Sequence, residues 1–139
     1  MLAFLRYNVW PMLSKGWLWK GLAFVGVAGG TLLYRSSLCN MLFRCGCQSA
    51  LAAGGRFCNI HDMAAAMHCP WCSHGSWGHN VPTVSILAAQ ALILFEPMKL
   101  SVPMRVGLSV IAFFVVGGAV GLLFGMFSHY PVFLGIRIS

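Results

Sequence analysis

Three long apolar stretches limit what this chain can fold into. They cover residues 17–34, 81–95 and 104–127 of a chain that is 59% hydrophobic and 8% charged. In a typical soluble domain about a quarter of the residues are charged. A helix rises about 1.5 Å per residue and the hydrocarbon core of a bilayer is about 30 Å thick, so the first and third stretches can cross it. The sequence therefore predicts an all-α integral membrane protein with about three transmembrane helices, forming a single domain over residues 1–139.

The second apolar stretch is short for a membrane span. It has Pro82 near its start, where the first turn of a helix tolerates proline, and it stops at Glu96, which precedes a proline. At about 15 residues such a helix needs a thin membrane, its polar flanks or partner subunits to complete the crossing. We therefore expect the span over 81–95 to depend on its neighbours.

A polar segment separates the first two apolar stretches, and we call it the Cys/His loop (residues 39–79). It holds all the cysteines and four of the five histidines, namely Cys39, Cys45, Cys47, Cys58, Cys69, Cys72, His61, His68, His74 and His79. Its first part, residues 38–53, has the pattern of a short amphipathic helix, and the remainder has little helix or strand pattern. Because the loop is too short to bury a core of its own, we expect cross-links or metal ions to order it.

The cysteine spacing favours a metal site. Cys58-x2-His61 and Cys69-Pro70-Trp71-Cys72 are two ligand pairs, and together they supply the three thiolates and one imidazole of a common tetrahedral structural zinc site. Possible further ligands are Cys45, Cys47, His68 and His74. Thiolates and imidazoles bind zinc and cuprous copper, so zinc is the first expectation and copper the alternative.

Two other interpretations of the cysteines remain open. Cys69 and Cys72 can form a redox-active dithiol, with Cys45 and Cys47 passing electrons onward to a quinone held among the helices. Six cysteines can also form three disulfides in an oxidising compartment, although disulfides do not explain the interspersed histidines. With Asp62 and Glu96 as its carboxylates, the chain is poorly supplied for general acid–base hydrolysis.

The basic residues predict the topology. Three spans place five of them with the N-terminus and four with the Cys/His loop: Arg6, Lys15, Lys20, Lys99 and Arg105 against Arg35, Arg44, Arg56 and Arg137. Since positive charge is retained on the cytoplasmic side, this predicts a cytoplasmic N-terminus and a periplasmic Cys/His loop in a bacterial inner membrane. The net charge of +7 is thus assigned to membrane flanks and not to nucleic-acid binding.

Glycines at helical spacing predict close helix packing. Gly26 and Gly30 lie in the first span, and Gly117, Gly121 and Gly125 lie in the third. Glycines four residues apart form a groove that lets another helix approach closely within a membrane. We expect these faces to pack either within this bundle or against other membrane subunits, and three helices alone make the second option attractive. The sequence as a whole therefore suggests a small accessory or assembly subunit with a structural metal site, and an enzyme is the less favoured interpretation.

Overall fold

Three long helices dominate the computed structural model, which describes residues 15–65, 67–97 and 100–137. The elements in chain order are α1 (Lys15–Phe43), a 3-10 turn (Asn59–His61), α2 (Pro70–Ser73), α3 (Gly75–Phe95), α4 (Val102–Phe127), β1 (Val132–Phe133) and β2 (Ile136–Arg137). The two strands form an antiparallel hairpin. Helices α1, α3 and α4 are each long and apolar enough to cross a membrane. The prediction of a mostly helical chain with three helices of spanning length is confirmed. Arg6 and Lys99, on which the topology depends, lie outside the described residues.

Helix α1 continues past the predicted end at Tyr34 and reaches Phe43. Arg35 was expected at the membrane surface, but it does not end the helix, because its Nη1 donates to Thr83 Oγ1 on α3 at 3.2 Å. The helix ends where Arg44 adopts a left-handed backbone with φ of 50°. The short helix expected over residues 38–53 is therefore the last part of α1 followed by irregular chain, and this brings Cys39 into α1.

Helix α3 begins at Gly75, before the predicted start at residue 81, and its 21 residues span about 32 Å. Pro82 lies inside the helix instead of in its first turn. The early start is tied to α2, because a Cβ at Gly78 would lie 2.5 Å from the Trp71 carbonyl oxygen. With only hydrogen on its Cα, Gly78 lets the two helices pack backbone to backbone. Helix α3 is thus long enough to cross a membrane without a thin bilayer or partner subunits, which the predicted stretch of about 15 residues required.

The glycines of α4 pack against α1 within this chain. A Cβ at Gly117 would lie 2.5 Å from Leu38 Cδ2, and one at Gly121 would lie 2.6 Å from Leu42 Cδ1. Gly125 faces the Phe43 ring at an ordinary contact distance of 3.5 Å. The α4 groove therefore holds the end of α1 from which the Cys/His loop departs.

Gly26 and Gly30 have no neighbouring side chain within 4 Å of a Cβ placed on them. They line an open apolar cavity of about 630 Å³ between α1 and α4, together with Tyr34 and Phe113. Packing of these glycines, or of the α4 glycines, against other subunits stays a prediction.

Polar side chains join the three helices within the apolar bundle. Thr31 Oγ1 donates to Gln90 Oε1 at 3.0 Å, and Gln90 Nε2 donates to the Ser109 carbonyl at 3.2 Å. Hydrogen bonds of this kind between membrane helices contribute about 0.6 to 2 kcal/mol each. These two hydrogen bonds fix the orientation of α3 about its own axis relative to α1 and α4.

Arg105 has a different place from the one expected at the membrane surface. Its side chain is only 2% exposed. Its Nη1 donates to the carbonyl oxygens of Leu94 at 3.0 Å and Glu96 at 2.6 Å, and its Nε donates to that of Leu100 at 3.1 Å. The last carbonyls of a helix lack partners within the helix, so the cation caps the end of α3 and joins it to α4.

We expect Gly117→Val to lower the melting temperature of the detergent-solubilised protein well below that of Gly118→Val. Both changes carry the same helix-propensity cost, but a Cβ at Gly118 meets nothing within 4 Å, whereas Leu38 crowds Gly117. Overpacking of this kind costs about 1 to 3 kcal/mol. Equal melting temperatures for the two variants, followed by circular dichroism, would contradict the packing of α4 on α1.

Candidate metal centre

The Sγ atoms of the six cysteines meet at one end of the helix bundle, and we call them the sulfur cluster. Cys39 comes from α1, Cys45 and Cys47 from the irregular chain after it, Cys58 from the residue before the 3-10 turn, and Cys69 and Cys72 from the start of α2 and its third residue. All six are free thiols, and all but the half-buried Cys72 are buried. Local folding alone does not explain this convergence, because it joins four separate parts of the chain.

The distances between sulfurs are those of non-bonded neighbours. Cys39 Sγ lies 3.1 Å from Cys69 Sγ and 3.4 Å from Cys45 Sγ, and Cys47 Sγ lies 3.8 Å from Cys72 Sγ. A disulfide bond is about 2.05 Å long, so these pairs are not bonded.

Twelve pairs of sulfurs in the cluster lie within 4.8 Å of each other. Four trios of cysteines contain each of these pairs once, and we call them the trios: Cys39–Cys45–Cys47, Cys39–Cys69–Cys72, Cys45–Cys58–Cys69 and Cys47–Cys58–Cys72. The same distances also close four complementary groups of three, among them Cys58–Cys69–Cys72. Each cysteine belongs to two trios, and any two trios have one cysteine in common. The six sulfurs therefore form one shared set and not separate pairs.

Gly46 sets the turn that directs two cysteines inward. Its φ of 83° is in the left-handed region that glycine adopts freely, and a Cβ there would overlap the Phe57 carbonyl. Its N–H donates to Asn40 Oδ1 at 2.8 Å, which ties the turn to the last part of α1. The turn at Gly46 thus directs the side chains of both Cys45 and Cys47 into the sulfur cluster.

Asn59 joins the segments that carry the other cysteines. Its Oδ1 accepts a hydrogen bond from the Cys69 N–H at 2.8 Å, and its Nδ2 donates to Tyr130 Oη at 3.0 Å. Its own N–H donates to the Cys45 carbonyl at 2.8 Å. One residue therefore links three cysteine-bearing segments to the chain after α4.

Large apolar side chains cover the inner side of the sulfur cluster. The Phe43 ring contacts the rings of Trp71, Tyr130 and Phe133 edge-on, at centroid distances of 5.9, 5.5 and 6.1 Å. The Leu134 N–H donates to the Leu42 carbonyl at 2.7 Å, so the hairpin is fastened over the end of α1. This side of the cluster is shielded from water.

The thiols influence one another's ionisation. Hydrogen bonds from the thiols of Cys39, Cys47 and Cys69 lower the pKa of Cys45, and those same thiols lower the pKa of Cys72. Burial, by contrast, raises the pKa of Cys58 to about 11. Protonation of one thiol therefore depends on that of its neighbours, and a bound cation would displace protons from the cluster.

The structure brings together the three cysteines of the predicted Cys58–His61–Cys69–Cys72 site, whose sulfurs lie within 4.8 Å of one another. Cys58 shares one trio with Cys69 and another with Cys72, whereas His61 is exposed. Within the described part of the chain, no trio includes a histidine. Whether His61 nonetheless serves as a ligand stays a prediction.

The other predicted ligands divide in the same way. Cys45 and Cys47 belong to the sulfur cluster. His68 Nδ1 lies 2.9 Å from the Asn59 carbonyl oxygen, and the His74 ring lies 6.2 Å from that of Phe124. These contacts give both histidines packing or hydrogen-bonding partners outside the sulfur cluster.

A second cavity, of about 290 Å³, adjoins the sulfur cluster. Residues from α1, α3 and the Cys/His loop line it, among them Arg35, Cys39, Cys47, Cys72, His79 and Thr83. It brings a guanidinium and an imidazole beside three of the sulfurs. Trp71 also lines this cavity, which is large enough for a small molecule or ion to lie against these sulfurs.

Sequence reasoning missed the residues that place the sulfurs. Asn40 and Asn59 carry no metal-ligand pattern, and Cys39 was separated from the predicted site because α1 was expected to end before it. The Cys-Gly-Cys spacing was the one available signal for the turn at Gly46, since glycine between two cysteines is typical of a tight turn.

Comparisons with profiles of protein families, with curated proteins and with solved structures give no match.

Proposed function

We propose that this chain is a small membrane protein that holds soft metal ions, zinc or cuprous copper, in its six-cysteine cluster. The observation that carries the proposal is the convergence of six free thiols into four overlapping trios. Each trio offers three sulfurs to one position, and thiolate sulfur selects zinc, cuprous copper and iron–sulfur centres. The predicted extracytoplasmic location favours zinc or copper over a labile iron–sulfur cluster.

The spacing of the sulfurs supports metal binding. A metal–thiolate distance of about 2.3 Å places two sulfurs on the same ion about 3.8 to 4.0 Å apart. Cys47 and Cys72 are already 3.8 Å apart, and every pair within a trio lies within 4.8 Å. Metal binding thus requires shifts of about 1 Å or less in these side chains.

Metal ions would also supply the order that the Cys/His loop otherwise lacks. Apart from the 3-10 turn and α2, the described chain between α1 and α3 has no helix or strand. Binding of metal to such a segment contributes directly to its folding free energy. The loop then becomes a rigid cap on the bundle. The exposed Gly26 and Gly30 face would pack against a partner helix, as expected of an accessory or assembly subunit.

Metal analysis combined with thiol counting tests the proposal. Protein purified without oxygen or chelator is expected to carry bound zinc or copper, with cysteines that resist alkylation until a chelator removes the metal. Metal-free protein in which all six cysteines react under native conditions, and which takes up neither ion when supplied, would contradict the proposal.

A second candidate function is thiol–disulfide exchange with a quinone. It is favoured by the 3.1 Å distance between Cys39 and Cys69 and by the presence of Cys72 in the same trio. In that reaction two thiols lose two electrons and two protons to form a disulfide, and the quinone takes them up to become a quinol. Formation of a Cys69–Cys72 disulfide in metal-free protein on addition of a soluble quinone, detected by mass spectrometry, would support this candidate over the first.

A further inference from the structure

We infer that the sulfur cluster is a cage for four cuprous ions, one in each trio of cysteines. The inference rests on the proposed metal-binding function and adds to it the number, identity and coordination of the ions. It depends on how the trios share their members and on the donor atoms that they contain.

The twelve close sulfur pairs allow two complementary sets of four trios, and each set has the connectivity of a closed cage. Each cysteine belongs to two trios, and any two trios have one cysteine in common. With one ion in each trio, every thiolate bridges two ions and every ion has three sulfur ligands. Six bridging thiolates supply the bonds that four three-coordinate ions need, and no sulfur is left over.

Zinc fits this pattern less well. Zinc in protein sites takes four ligands, and two zinc ions can share six thiolates only if two sulfurs bridge and four bind a single ion. In such a site two cysteines bridge two ions and four bind a single ion. In the four trios, by contrast, every cysteine belongs to two positions. Cuprous copper accepts three sulfur ligands and prefers soft donors.

The donor set points to the same ion. The trios consist of cysteines throughout, with no imidazole or carboxylate among the described residues that form them. His61 is exposed, and His68 lies beside the Asn59 carbonyl oxygen. Positions with three sulfur ligands suit cuprous copper, whereas zinc, which also accepts all-sulfur sites, takes four ligands there.

Charge and burial are also suited to such a cage. Six thiolates without a metal, five of them buried, would carry six negative charges into the apolar end of the bundle, at a large desolvation cost. Four cuprous ions offset all but two of these charges. Arg35 lines the cavity beside Cys39, Cys47 and Cys72, where its charge opposes the remainder. The Phe43, Trp71 and Tyr130 rings limit access of water and oxygen from the inner side.

The test is anaerobic titration of the full-length, reduced protein in detergent with cuprous ion supplied as its acetonitrile complex. Native mass spectrometry is expected to show saturation at four copper ions per chain. Because neighbouring ions share thiolates, empty and four-ion forms should dominate at half-loading. X-ray absorption should show three sulfur neighbours per copper and a short copper–copper distance.

The outcomes separate the cage from the broader proposal. Saturation at one or two copper ions, or a copper shell with nitrogen or a fourth ligand, overturns the cage. Tight binding of two zinc ions by the same cysteines, with no four-copper form, overturns the cage and leaves the metal-binding function standing. Failure to bind either zinc or copper overturns both.

Discussion

Replacing Gly46 with alanine is expected to weaken metal retention about a hundredfold, whereas Gly55→Ala should leave it unchanged. Gly46 has a φ of 83°, and an added Cβ would overlap the Phe57 carbonyl. The backbone on both sides would have to move. Since Cys45 and Cys47 flank this residue, both sulfurs would leave their trios.

The magnitude follows from two costs. A non-glycine residue in the left-handed region costs about 1 to 2 kcal/mol, and overpacking against fixed backbone costs about 1 to 3 kcal/mol more. Since 1.4 kcal/mol corresponds to a factor of ten, a total of about 3 kcal/mol gives the hundredfold change. Competition between the protein and a coloured chelator for zinc or cuprous copper measures it.

Two glycines in the same loop serve as controls. Gly55 has no contact within 4 Å of an added Cβ and no positive φ, so its alanine variant tests the loop without strain. Gly54 has a φ of 59° but also has open space around it, so Gly54→Ala isolates the cost of the backbone conformation. A Gly46→Ala protein that elutes as a folded monodisperse species and holds metal like Gly55→Ala would show that the turn does not position the sulfurs.

The three long helices could be predicted because their apolar character does not depend on what they contact. Their ends could not be predicted, since each depends on a partner elsewhere in the chain. In the sequence Arg35 looks like the end of a helix, but in the structure its guanidinium bonds Thr83 within the bundle. Arg105 looks like a cation at the membrane surface, but it bonds carbonyl oxygens at the end of α3. A charged residue in an apolar chain marks an interface only when no internal acceptor satisfies it.

Part of the sulfur cluster could be predicted because some of its members are close together along the chain. Close spacing predicted two ligand pairs, Cys58 with His61 and Cys69 with Cys72, because a local turn brings together residues three apart along the chain. The three cysteines of these pairs do lie in the sulfur cluster. Cys39 is brought in by the extension of α1, and its nearest sulfur neighbour, Cys69, is 30 residues away along the chain. Spacing cannot show such contacts, nor can it show that Asn59 fastens the segments together.

The ligand set can be decided by comparing Cys39→Ser with His61→Ala, and the two hypotheses give opposite results. The six-cysteine cluster predicts that Cys39→Ser lowers metal affinity at least about a hundredfold, since loss of even an outer-sphere partner can cost 10- to 100-fold. Serine has nearly the same shape, but its hydroxyl is a poor ligand for a soft ion. His61→Ala should retain the wild-type affinity, because that imidazole is exposed and lies outside the trios of the described chain.

The predicted Cys58–His61–Cys69–Cys72 site requires the reverse. In that case His61→Ala loses a ligand, and Cys39→Ser affects only packing at the end of α1. Chelator competition and metal content per chain, measured on both variants alongside Cys58→Ser, distinguish the cases, since Cys58 is a ligand in either. If His61→Ala matches Cys58→Ser while Cys39→Ser binds normally, the shared trios are not the metal site. If Cys39→Ser matches Cys58→Ser, the cysteine at the end of α1 is a ligand, and the first membrane helix is part of the metal centre.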